Sequence, residues 1–390
     1  MLNDFPIFVT DMRFIKLKNS GSTYLLVFFA LVLFSHCKVN SVREYFVDAQ
    51  SVAHMGRALF DARDGLVLIS TASCGQLYFK GDSCKVGLKN LAPGDDYGYV
   101  MYEIDGRVQS RIKISGDQEN WITVHAERKL DQHVLKIFKL TEAQNGNIAI
   151  SHIIGEDILP AQDTFNKIKI EFIGNSITCG MGMDTSEIPC GQGKWYDQHE
   201  GYHSFAARTG RGLKLQYMIS AVSGIGMYRN WNTDGPTMPE VYESAYLNKD
   251  SLRRWDFSSY QPDLVSICLG TNDFSAGDGS KTRAKFDSVR FEQAYVDFVR
   301  SIYGHYPSTQ VLLQTSPMLG VVQDDLLFRC LTRIAAQFNT GDSKIKPVEI
   351  LRFDPMVPGG CDYHPSFEDH VRLSFQLQSF INKFVNSLRK

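Results

Sequence analysis

Four short segments of this sequence carry side chains suited to nucleophilic catalysis: Gly174-Asn175-Ser176, Ser223-Gly224, Gly270-Thr271-Asn272-Asp273 and Asp362-Tyr363-His364-Pro365. A serine hydroxyl attacks a carbonyl only when a nearby base takes its proton and fixed donors hold the oxyanion that forms. Ser176 closes the apolar run 170–173 in a small-residue turn, where Gly174 lets the chain bend sharply. His364 is the candidate base. Pro365 beside it is a natural first helical residue, so the imidazole is offered from a stiff loop at a helix start. Asp362 can accept from the far ring nitrogen and so fix the tautomer. A side-chain amide at a strand end is costly unless its donors are used, which assigns Asn272, with the backbone N–H groups of Ser176 and Gly224, to a three-donor oxyanion hole. Asp273 reads as a structural residue that ties loops together.

These segments need elements that bring them to one place. From about 45 to 158 the chain reads as β: runs at 66–69, 77–79, 97–104, 108–114, 121–125, 133–140 and 148–154 are short, apolar or alternating, and separated by turn residues. Asp105-Gly106 is a hairpin signal, because both positions accept positive φ. Strand count and spacing predict a β-sandwich of jelly-roll type over 40–160. After Pro160, strands at 168–173, 213–219, 264–269, 311–314 and 348–351 alternate with helical stretches. Phe291, Tyr295, Phe298 and Ile302 share one helical face, and Leu373, Leu377, Phe380, Ile381, Phe384 and Leu388 make another stripe. Alternation of this kind predicts an α/β fold over 161–390 with a mostly parallel sheet. Sites in such sheets form at the carboxyl ends of strands, which is where three of the four segments fall; the fourth precedes the last helix.

At 390 residues the chain exceeds what one core usually fills, roughly 250 to 300 residues, so two folded units are expected. A net charge of −2 gives no electrostatic pull toward nucleic acid or an anionic membrane. Arg13, Lys16 and Lys18 precede the apolar run 24–34, which is shorter than the roughly 20 residues that span a bilayer. Residues 1–37 therefore read as an export signal, with Met12 an alternative start, and the protein as secreted, periplasmic or surface-attached. Cys37 is placed where a bacterial lipid anchor would be, although Phe34 and His36 depart from the residues usual before one. Cys74 and Cys84, and Cys179 and Cys190, are spaced to bridge in an oxidising compartment; buried thiols explain them equally well.

The glycines of 174–182 lack the Gly-Lys-Ser/Thr ending of a phosphate loop, and Cys361, Asp362, His364 and His370 match no usual zinc spacing. No metal or organic cofactor is called for. Trp195, Tyr228 and Trp231 are candidates to bind a glycan, and Tyr228 and Trp231, interleaved with Asn230, Asn232 and Asp234 after Gly224, suit a sugar better than a lipid.

Taken in order, the four segments resemble the conserved blocks of the SGNH (GDSL-type) hydrolase superfamily. The β-rich region ahead of them makes the chain similar to carbohydrate esterase family 2 in particular. That resemblance implies a jelly roll joined to a three-layer α/β/α sandwich, with removal of acetyl groups from plant-wall polysaccharide such as xylan or glucomannan. Two departures stand out. Asn175 replaces the commoner Asp, and Asp362 precedes His364 by two residues rather than three, a spacing that resembles the family 2 arrangement in which a backbone carbonyl can also orient the base. A lipid or other small-ester esterase, and a carbohydrate-binding protein without turnover, are the alternatives.

Overall fold

The computed structural model describes residues 42–250, 252–341 and 346–388. The export segment and Cys37 lie outside them. Strands of the first part form two antiparallel sheets. One runs in the order Asn120–His125, Ser83–Asn90, Ile148–Gly155, Gly65–Leu68, Ala58–Asp61, with Arg43–Phe46 also paired to Ile148–Gly155. The other is built on Cys74–Lys80, His133–Lys139 and Gly98–Ile104. The Asp105-Gly106 turn is as the sequence expects: φ is 52° and 79°, and Arg107–Val108 folds back antiparallel on 103–104. Alternate residues of the two sheets, among them Leu66, Leu68, Leu77, Phe79, Val86 and Leu135, close a dry core between them.

The second part holds a five-stranded parallel sheet in the order Gln216–Ala221, Lys169–Gly174, Leu264–Cys268, Gln310–Gln314, Glu349–Leu351. The strands Lys169–Gly174, Leu264–Cys268 and Gln310–Gln314 are almost wholly buried, while the edge strand Glu349–Leu351 is not, and helices pack on the sheet. Phe205–Gly212 and Phe367–Leu388 pack with Ile170, Phe172 and Ile219; Ser288–His305 and Val321–Phe338 pack with Ile173, Val265, Ile267 and Val311. Period two along the strands and 3.6 along the helices explain this division of side chains.

Beyond the core each part has of its own, the two parts share a third. Met55, Ala72, Tyr99, Met101, Phe138 and Leu140 from the β region belong to the same apolar cluster as Ile177, Cys179, Tyr202 and Phe205, and 40–390 form one compact unit. Fully buried Arg57 crosses the same boundary. It donates to the carbonyls of Tyr242 and Ser244 at 2.7 to 3.2 Å and lies 4.0 Å from the Glu171 carboxylate, which accepts from Ser220 and Tyr242 hydroxyls.

Candidate active site

Ser176 begins the one-turn helix Ser176–Cys179 directly after the Lys169–Gly174 strand. Asn175 caps that helix, its side-chain oxygen accepting from Ile177 N–H at 3.3 Å, and its amide reaches Thr271 Oγ1 at 3.3 Å. An amide thus serves as the cap where an Asp is commoner. A side chain at Gly174 would meet Thr178 Oγ1 at 2.0 Å, so only glycine fits there.

His364 Nε2 lies 2.8 Å from Ser176 Oγ, although 188 residues separate them. Its Nδ1 lies 2.8 Å from the backbone oxygen of Asp362. A carbonyl only accepts, so Nδ1 carries the proton and Nε2 presents its lone pair to the serine hydroxyl. Burial lowers the imidazole pKa from its ordinary 6.5, which keeps the ring neutral at neutral pH. The expectation that the Asp362 carboxylate orients the ring is corrected here: Asp362 is exposed, and its main chain makes the contact. The reason is local backbone geometry. Asp362 and Tyr363 both adopt positive φ, 50° and 61°, folding the chain so that the 362 carbonyl faces the ring two residues on.

This loop is fastened from three sides. Cys361 is bridged to Cys190, its N–H donates to Gly182 O at 2.8 Å, and Gly360 N–H donates to His364 O at 2.8 Å. The bridge is neither of the two pairs that sequence spacing allowed, and the alternative of buried thiols holds for Cys74, Cys84 and Cys179. Cys74 and Cys84 stand in different sheets. The partner of Cys190 is 171 residues away, beyond the reach of any argument from spacing.

Asn272 is nearly buried in the turn Thr271–Phe274, introduced by Gly270 at φ 128°. Its amide donates to Ile225 O at 2.7 Å, which fixes the side chain and leaves its second hydrogen. The N–H groups of Ser176 and Gly224 have no hydrogen-bond partner among the described residues. Asp273 accepts from the N–H groups of Met227, Tyr228 and Arg229 at 2.9 to 3.2 Å, the loop-tying arrangement read from sequence, with burial pushing its carboxyl up to about 6.

Of the three aromatic candidates, Trp195 and Trp231 are 43% and 44% exposed, and Trp231 N–H donates to Gly224 O at 2.8 Å. Tyr228 is not available as an open ring. It packs on Phe286 and Phe291, and its hydroxyl accepts from Asp287 N–H. The neighbouring phenylalanines hold it, half-buried, against the edge of the core, a contact invisible in a linear reading. Tyr363, beside His364, is the aromatic that sequence reasoning passed over; it is 86% exposed.

A serine hydroxyl aligned with a fixed, neutral imidazole at the carboxyl edge of a parallel sheet defines a chain of the GDSL/SGNH hydrolase class. Residues 172–344 match the GDSL-like lipase/acylhydrolase family, and residues 54–161 match the carbohydrate esterase 2 N-terminal family. The chain belongs to these GDSL-type hydrolases as a member with a carbohydrate esterase 2 N-terminal region. It is similar to the cellulase/esterase CelE of Acetivibrio thermocellus, with 34% identity over 86% of this chain and 39% of that protein. An acetylxylan esterase/glucomannan deacetylase of Cellvibrio japonicus is 27% identical over 56% of this chain and 58% of its own length. The chain thus spans about two fifths and somewhat over half of these two relatives. Among solved structures, a family two carbohydrate esterase from Clostridium thermocellum in complex with cellohexaose superposes with a TM-score of 0.74 at 28% identity, covering 86% of this chain and 99% of that one.

Proposed function

We propose that this protein is an exported serine esterase that removes acetyl groups from plant-wall polysaccharide, of the acetylxylan or glucomannan esterase type. The observation that carries this reading is the 2.8 Å approach of His364 Nε2 to Ser176 Oγ, with Nδ1 tied to a carbonyl. In the first half-reaction Ser176 Oγ attacks the acetyl carbonyl while His364 accepts its proton. The oxyanion is held by the N–H groups of Ser176 and Gly224 and by the free hydrogen of Asn272. Collapse breaks the bond to the sugar oxygen, which leaves with the proton from His364. Water, deprotonated by the same imidazole, then releases acetate from acetyl-Ser176.

The sugar side of the reading rests on the relative that bears an acetylxylan esterase name, the cellohexaose held by the similar structure, and Trp195 and Trp231 exposed beside the polar residues Asn232 and Asp234. The division into a jelly-roll sandwich over 40–160 and a three-layer hydrolase sandwich over 161–390 belongs to the same reading. Export through residues 1–37 is supported by the Cys190–Cys361 bridge, since disulfides persist in oxidising compartments.

Ser176→Ala is expected to abolish acetate release from acetylated xylan and from 4-nitrophenyl acetate while the circular dichroism spectrum stays unchanged. Full turnover by that variant defeats the mechanism. A series of esters of rising acyl length separates this reading from a lipid esterase: the expected order is fastest at acetyl.

A further inference from the structure

Behind the Ser176 turn lies a group of side chains that the proton transfers above do not use: the buried Glu142, Lys139 and Cys179, and the half-buried Ser223. Glu142 comes from the β region, at the head of the one-turn helix Ala143–Asn145 that joins the strands His133–Lys139 and Ile148–Gly155. It is fully buried, yet its carboxylate leaves the β region and accepts from Ser223 N–H and Ser223 Oγ, both at 2.8 Å. Cys179, at the end of the helix that Ser176 begins, is a buried neighbour whose thiol the same carboxylate helps to hold protonated. Gln144 adds a second hold: its amide donates to Ser223 O at 3.4 Å and to Glu142 Oε1. Lys139 fixes the segment from below, its ammonium donating to the carbonyls of Ile69, Thr141 and Glu142 at 2.8 to 3.0 Å.

Ser223 and Gly224 are the middle residues of a turn closed by Ile225 N–H on Val222 O. Gly224 has φ 76°, the value that position takes in a type II turn. The related type I turn differs by a flip of the central peptide, which reverses its N–H and C=O. That peptide joins Ser223 to Gly224, so its N–H is the Gly224 donor. A flip would carry the donor away from the oxyanion. In the observed state, the carbonyl of this peptide is bonded by Gln144, and the N–H and hydroxyl of the residue before it are bonded by Glu142.

We propose that Glu142, assisted by Gln144, is a positioning residue for the esterase: it locks the Ser223–Gly224 peptide in the orientation that supplies the Gly224 N–H to the oxyanion. The β region thereby takes part in turnover without touching substrate. This rests on the oxyanion role given above to Gly224.

The test compares kcat, KM and melting temperature of the full chain carrying Glu142→Ala, Glu142→Gln and Gln144→Ala. It adds the affinity of a small alkylboronic acid, whose tetrahedral serine adduct occupies the oxyanion hole. Losing one oxyanion donor costs about 100-fold or more in kcat, so loosening one is expected to cost about tenfold in Glu142→Ala, with KM within about twofold. Boronate affinity should fall by a similar factor. Glu142→Gln, which keeps an acceptor of the same shape, should recover turnover to within about threefold of the native chain. Gln144 is exposed, so Gln144→Ala will fold, and a kcat loss of about threefold at unchanged melting temperature is expected. Native kcat in Gln144→Ala together with native kcat in folded Glu142→Ala overturns the proposal. A loss confined to KM, or one that only follows the folded fraction, overturns it as well. If Glu142→Ala does not fold, unchanged kcat and boronate affinity in Gln144→Ala are sufficient to reject it. Failure of the underlying reading is separately visible, because Ser176→Ala would then keep its turnover.

Discussion

His364 receives its tautomer from a main-chain oxygen, and this separates the present site from triads in which a carboxylate does that work. Replacing the carboxylate of a conventional triad lowers kcat by roughly 10⁴-fold. Asp362→Asn keeps both the carbonyl and a residue tolerant of positive φ, so kcat for 4-nitrophenyl acetate is expected to stay within about threefold of native. A drop of 100-fold or more would return the task to the carboxylate. The pH profile follows from burial of the imidazole. Burial depresses the His364 pKa, so the ring is neutral above that value and protonated below it. The rate constant kcat/KM should therefore fall as pH falls, on an acidic limb with its midpoint below 6.5. A limb centred above 7 would contradict the burial argument. At this scale sequence was informative about residue types and silent about atoms. Ser176, Asn272 and His364 were legible because a nucleophile, an amide and a base each end a recognisable element. The atom of Asp362 that does the orienting depends on two consecutive positive φ angles, which side-chain chemistry does not reveal.

The loop bearing His364 is short and strained at 362 and 363, and its position is kept by the bridge to Cys190 and by the Gly182 carbonyl. Opening a disulfide of this span typically costs about 2–5 kcal/mol of stability. Reduction, or Cys190→Ser, is expected to lower the melting temperature and also to reduce kcat, since the imidazole must meet Ser176 within hydrogen-bond reach. Melting followed by differential scanning calorimetry, with and without reductant, measures the first effect; an intact kcat in the reduced protein would show that Gly182 alone suffices. The elements themselves were readable. The parallel strands appear within a few residues of their expected positions because each is a short, mostly apolar run bounded by turns. What eluded the sequence at this scale was pairing over distance: the partner of Cys190, and the phenylalanines that pack against Tyr228.

Across the molecule, the β region and the hydrolase sheet share one apolar cluster and a buried guanidinium. A hydrolase fragment beginning near 161 would expose Ile177, Tyr202 and Phe205 to water and leave Glu171 without Arg57. Expressed alone, it is expected to be insoluble or to melt well below the full chain; a stable, active fragment would contradict the shared core. Arg57→Ala in the full chain strands the Glu171 carboxyl in a dry site, a change that typically costs about 3–5 kcal/mol, to be read from chemical denaturation. Two units were visible in the sequence as a change of period after Pro160. Their union was not, because a strand buried on both faces by a neighbouring unit looks the same as one buried within its own.

That union also governs how the chain can change over generations. Two segments that share no core can drift or be exchanged independently, each answering only to itself. Here Met55, Met101 and Phe138 meet Ile177, Tyr202 and Phe205 inside a single packing problem, so a volume gained on one side must be given up on the other. Substitutions at these positions should appear in correlated pairs among relatives. A hydrolase segment transplanted onto a foreign β region would inherit the nucleophile and the base, but not the surface against which its nucleophile turn is seated.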